Sequence, residues 1–170
     1  MLDYELIRAF RPIIIEALNA FDSSLECDVV DTYQATKQQP NDNFISFNVV
    51  AINSISSPHR KFDKETLQYI ETQKIKVMYQ LNFNINPTAT YSSFGVMNYV
   101  YMYLQSRKSL NVLAKKNIGF LIGEMRSLPI QNESDNWEVA NSFDFSLISE
   151  INLKTNVPII KKIENLIKGV

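Results

Sequence analysis

The chain has 170 residues, 45% of them hydrophobic and 21% charged, enough apolar material for one domain with its own core. Its formal net charge of −1 removes any overall electrostatic drive toward nucleic acid or an anionic membrane surface. A single cysteine, Cys27, excludes an internal disulfide framework and a cysteine-cluster metal site, and no apolar run approaches the roughly 18 residues of a membrane span.

The first residues, MLDYELIR, carry charges where a signal peptide needs an apolar segment, so the chain reads as cytoplasmic where it is made. Leu2, Leu6, Ile7, Phe10, Ile13, Ile14, Ala17, Leu18 and Phe21 then recur at helical spacing. Asp3 is the expected N-cap, and Pro12 predicts a kink or a restart at Arg11. Asp22-Ser23-Ser24 ends the helix. Glu26 to Tyr33 is a short strand candidate. Gln34 to Asn43, which contains Pro40, is wholly polar and reads as a loop. Phe44 to Asn53, rich in β-branched and aromatic residues, reads as a strand. Ser54 to Glu65 reads as a second loop, carrying His59, Arg60, Lys61 and Lys64.

Thr72 to Ile85 alternates with a period of two. Ile75, Val77, Tyr79, Leu81, Phe83 and Ile85 share one face, and Lys74, Lys76, Gln80, Asn82 and Asn84 the other. Asn86-Pro87 stops it. Thr90 is the expected N-cap of a helix to about Gln105, with Phe94, Met97, Tyr101 and Leu104 inward. Ser109 is expected to cap a further turn or two, with Leu110 and Leu113 inward. Ile118 to Met125 returns as a strand, and Leu128 to Asn136 reads as a polar connection.

Trp137 to Leu153 is the second long alternating strand. Val139, Phe143, Phe145, Leu147 and Ile151 follow Trp137 at odd positions, while Ser142, Asp144, Ser146 and Glu150 hold even ones. Asn156 and Pro158 open a last helix, with Ile159, Ile160, Ile163 and Ile167 inward. This order implies an α+β fold: a mixed, mainly antiparallel sheet of four to five strands, two of them long, with helices mainly on one face. No boundary divides residues 1–170 into two domains. Strands of these lengths either protrude and leave edges for other chains, or bend back into the core.

Chemistry-bearing constellations are missing. His59 has no orienting carboxylate or nucleophile placed by any motif. Cys27 has no basic neighbour in sequence and reads as an idle thiol. Glu133 with Asp135 lacks the glycine and distal glutamate of a calcium loop. No phosphate-cradling or nucleophile-elbow motif occurs. Tyr99 and Tyr103, off the main stripe of their helix, suit a protein contact.

The C-terminal third carries a recognisable pattern. Glu124-Met125-Arg126 is followed by Ser127-Leu128-Pro129, a polar loop, Trp137 leading into N-S-F-D-F-S-L, and a closing N-V-P-I-I-K-K-I-E. With the opening helix, the Pro40 loop entering a strand, and a long strand followed by a helix, this layout resembles the bacteriophage neck or tail-terminator proteins. Its pattern residues are Pro129, Trp137, Phe143, Asp144, Phe145 and Pro158; the glycine usual near the Pro40 loop is missing. The resemblance implies a structural virion protein without catalysis, cofactor or metal. It would cap the head-proximal end of a tail tube and join it to the neck, as a homo-oligomeric ring, commonly a hexamer, through which DNA passes. Its partners would be the tail-tube and neck proteins, first in the host cytoplasm and then in the virion. A head-completion or connector subunit, or a non-viral α/β binding module, is the alternative. On the ring reading, Arg60, Lys61, Lys64, Tyr99, Tyr103, Asp144, Ser146 and Glu150 are expected at subunit interfaces or the lumen.

Overall fold

The computed structural model describes residues 2–31, 42–66, 68–88, 90–131 and 137–156. Most of the polar loop from Gln34, the loop at 132–136 and the expected C-terminal helix with Pro158 lie outside them. The helix α1 spans Leu2–Phe21 without interruption. Asp3 therefore lies inside it rather than at its cap. Pro12 does not divide the helix, because Pro12 and Arg8, whose carbonyl loses its partner, are both exposed and water can replace the missing bond. Its apolar stripe is buried from Leu6 to Leu18. As expected, Asp22 ends it: its carboxylate accepts from the Ser24 amide at 2.9 Å and hydroxyl at 2.7 Å.

Six strands follow in one sheet: β1 Asp28–Asp31, β2 Phe44–Ser54, β3 His59–Asp63, β4 Gln68–Asn84, β5 Gly119–Gln131 and β6 Trp137–Asn156. The order is β1-β2-β4-β6-β5, with β3 on β4. β1 runs parallel to β2, while β3–β4 and β5–β6 are antiparallel, so the fold is α+β with the mixed sheet predicted. The extra strand is β3, in a stretch expected to be loop. His59-Arg60-Lys61-Phe62-Asp63 lacks apolar alternation because it needs only a backbone ladder against β4 and buries no face.

Two helices sit between β4 and β5: α2 Ser93–Leu104 and α3 Arg107–Ala114. Their caps are Ser92 and Ser106, not Thr90 and Ser109. Thr90 bonds Thr88 at 3.0 Å instead, and the buried Ser109 hydroxyl donates to the Tyr103 carbonyl at 2.8 Å. Phe94, expected inward, is 49% exposed, and Leu110 of α3 is likewise outside the core. Val96, Met97, Val100, Leu104 and Leu113 fill the inner side. Asn117, at φ 56°, turns the chain out of α3 into β5 in the left-handed conformation that glycine usually takes. β5 also runs beyond its expected end at Met125 and takes in Leu128, Pro129 and Ile130. Proline is tolerated there because β5 is the sheet's last strand.

The chain forms two compact units: Met1–Asn53 with Lys76–Ser149, and Ser54–Ile75 with Glu150–Val170. The first holds the aromatic core. Phe10 of α1 stacks on Phe145 at 4.5 Å and on Phe120 at 5.7 Å, and meets Phe47 edge-on at 6.5 Å. Tyr79 stacks on the same Phe145 at 5.2 Å, and Tyr101 of α2 meets Phe143 at 5.3 Å. Thus α1 and α2 lie on the face that carries the odd residues of β4 and β6. In the second unit, Lys74 gives its carbonyl to the Ile55 amide and its own amide donates to the Ser56 hydroxyl. Thr72 bonds Asn152 at 2.7 Å.

Candidate interaction surfaces

Within the first unit, the even face of β6 carries two of the expected contact residues, Asp144 and Ser146. Asp144 pairs with Arg126 of β5 and keeps 22% of its side chain exposed. Ser146 is 6% exposed and Ser142 8%, so this stretch is less wet than its polar letters suggested. β6 lies between β4 and β5, and the short serines sit beneath longer neighbours: Arg126 opposite Ser142, Leu121 opposite Ser146. Opposite Asp144, β5 bulges between Ile122 and Met125. Gly123 within that bulge gives its carbonyl to the Tyr101 hydroxyl at 3.1 Å. The bulge thus ties the sheet to α2.

Tyr99 and Tyr103 stack at 6.3 Å on α2, and Tyr99 also meets Phe21 of α1 at 5.2 Å. Both are half-buried, so part of the expected protein contact is spent on holding α1. Beside them Lys108 of α3 pairs with Glu16 of α1. The Lys108 hydrogen bond holds the Glu16 carboxyl below its usual range, and the Lys108 ammonium is raised in turn.

In the other unit, Arg60 and Lys61 stand on β3 and Lys64 in the turn that follows. Arg60 is committed: it pairs with Glu71, donates through Nε at 2.6 Å, and lies 5.7 Å from the Tyr69 ring centroid. Phe62 and Tyr69, 5.1 Å apart, complete an exposed aromatic pair on the hairpin. The turn is fixed by Asp63, whose carboxylate accepts from the Thr66 hydroxyl at 2.7 Å and the Glu65 amide at 3.0 Å. Those bonds, the Thr66 one foremost, hold its carboxyl below the usual range. Glu150 sits 3.7 Å from Lys74 and is half-exposed. Arg60, Lys61, Lys64 and Glu150 thus belong to the second unit, and Tyr99, Tyr103, Asp144 and Ser146 to the first.

Among the described residues, no three His, Cys, Asp or Glu side chains gather as metal ligands would. His59 lies exposed on β3 opposite Thr72 rather than in a loop. Burial pushes the Cys27 thiol up to about 12, with the Asp28 carboxylate adding to the effect. Its reaction with a maleimide at pH 8 is expected to be slower than in the unfolded chain by about two orders of magnitude or more, since the thiolate reacts. The folded value lies above the ordinary 9.0, so the stability this thiol contributes is present below pH 9 and lost as pH rises toward 12. Labelling rates in buffer and in denaturant, and unfolding midpoints at pH 8 and 10.5, measure both effects.

The sequence reading missed a groove of about 780 Å3 in the first unit. It lies among the start of α2 (Ser92–Phe94), the end of β4 (Phe83, Asn84) and the β5–β6 ladder (Ser127, Ile130, Glu138–Asn141). Val139 is 58% exposed, Phe94 49% and Ile130 46%. Val139 shares the odd face with Phe143 yet stays uncovered. The signal was in the sequence: an apolar odd position four residues before the core, on a strand longer than the helices expected to cover it.

The family model that matches this chain does so over residues 5–159, nearly its whole length. The chain belongs to the family of the E217 gateway protein gp29. It is a phage head–tail joining family, in agreement with the resemblance carried by the C-terminal third. A gateway-family subunit is a structural component of the phage particle. Among solved structures, the chain is similar to the sheath/tube terminator of PVC, an extracellular contractile injection system, seen by cryo-EM in the extended state. The identity is 15% and the TM-score 0.49, over 90% of this chain and 60% of the terminator, so this chain spans less than two thirds of that protein. No curated protein matches significantly.

Proposed function

We propose that this gateway-family chain is a non-catalytic subunit that caps the head-proximal end of a phage tail tube and joins it to the neck. Residues 1–170 act as one subunit of a homo-oligomeric ring, a hexamer in the favoured form, and DNA passes through its lumen. Family membership over residues 5–159 is the observation that carries this reading. The surface is compatible with it. Leu128 and Ile130 of the terminal strand β5 are exposed, as are Phe62 and Tyr69 on the β3–β4 hairpin. Exposed edges and aromatics of this kind suit completion by neighbouring chains. A ring uses heterologous contacts, so no single self-complementary patch is required. The formal charge of −1 suits a channel that must let DNA slide without holding it by counterion release.

Purified protein mixed with tail tubes from the same phage is the test. Negative-stain images are expected to show a ring of added density at one end of each tube. Tubes that bind no protein, or bind it along their walls, would overturn the capping role.

A further inference from the structure

We propose that the groove between α2 and the β5–β6 ladder receives the C-terminal segment, residues 157–170, of a second copy of this chain. The inference rests on the ring reading and names one of its contacts. Uncovered apolar side chains, Phe94, Ile130 and Val139, line the groove. Among the described residues that line it, the charged ones are Asp42 and Glu138, both carboxylates, and none is lysine or arginine. The segment that begins after the last residue of β6 has the matching chemistry. Ile159, Ile160, Ile163 and Ile167 recur at helical spacing, and Lys161, Lys162 and Lys168 outnumber Glu164. Apolar anchors at i, i+1, i+4 and i+8 are the pattern by which an amphipathic helix lies in a groove. The groove volume of about 780 Å3 is in the range that accommodates several side chains at once. A segment of one copy seated on a groove of the next is a heterologous contact, and repetition of it closes a ring.

Full-length chains test this by cross-linking. Two variants are made in a Cys27→Ser background, one with Val139→Cys and one with Ile163→Cys. Val139 is exposed, so its replacement leaves the core intact. They are mixed and mildly oxidised, and a mixture of Ile163→Cys with Ser57→Cys, an exposed position in the other unit, serves as control. The expected result is a shift of the 19.6 kDa chain to a covalent species of twice that mass, joined through positions 139 and 163 and in excess of the control. No excess over the control overturns the inference. So does a doubly substituted chain, Val139→Cys with Ile163→Cys, that closes only within itself, since the segment then occupies its own groove. Particle mass before oxidation, alone and with tail tubes, reports the ring separately. Rings without the cross-link overturn the segment's placement and leave the ring reading standing; neither rings nor cross-link overturns both.

Discussion

Phe145→Ala is expected to lower the unfolding free energy by about 3–5 kcal/mol. Phe145 is 1% exposed, and its ring faces Phe10, Tyr79 and Phe120 at centroid distances of 4.5, 5.2 and 6.1 Å, with Phe143 at 6.3 Å. It is therefore where α1, β4, β5 and β6 meet. Truncation removes the transfer free energy of the ring and leaves a cavity. Four aromatic neighbours on three strands and a helix cannot all collapse into it, which places the cost at the upper end of the range for such deletions. Each aromatic pair that the ring makes is worth about 0.5–1.5 kcal/mol beyond its buried area. A domain of this size has roughly 5–15 kcal/mol in all, so the variant should be barely folded at 37 °C. Urea unfolding followed by circular dichroism measures it. A loss under ~1 kcal/mol would mean that Phe145 is not the keystone of the first unit.

Gly123→Ala is expected to destabilise by about 1–3 kcal/mol, although it adds a single methyl group. A Cβ at this position would come within 2.9 Å of the Asp144 carbonyl oxygen and 3.2 Å of the Asp144 Cβ. The nearest obstacle is backbone on a central strand, so it cannot swing aside as a flexible side-chain end would. Either the bulge between Ile122 and Met125 opens or β5 slides along β6. Both outcomes move Arg126 away from Asp144 and lengthen the Tyr101 hydroxyl bond to the Gly123 carbonyl. Tyr101→Phe, which removes only that hydroxyl, is expected to cost about 0.5–1.5 kcal/mol. Comparing the two by thermal unfolding separates loss of the tie to α2 from the steric push. Equal stability of Gly123→Ala and the unsubstituted chain would show that the bulge has room that the 2.9 Å approach denies.

The Phe145 prediction rests on a period of two read directly from the letters. The odd residues of β4 from Ile75 to Phe83, with Ile85 just beyond, and of β6 from Phe143 to Leu147 are buried as their alternation implied. The stripe of α1 was equally plain. Legibility ended where burial stops being the organising force. β3 buries no face, so its letters look like loop, and only its ladder to β4 makes it a strand. The caps of α2 and α3 were missed because Thr90, Ser92, Ser106 and Ser109 all have capping side chains. The choice among them depends on where the chain leaves the sheet. Pro129 reads as a break because proline cannot sit mid-sheet; that it stands on a terminal strand is a fact of topology. The groove escaped notice because its residues come from several elements, none distinctive by itself. The expected contact residues are polar or aromatic, Ser146 among them buried, and the structure distributes them over both units. Arg60, Asp144 and Glu150 are already paired within the chain, so substitutions there act first on local order and only then on any partner.

The functional reading is tested most directly by infecting cells with the phage when this chain is not made. The account predicts DNA-filled heads and tail structures that accumulate separately, and their joining on addition of the purified protein to the lysate. Fully joined, infectious particles formed without the chain would contradict it.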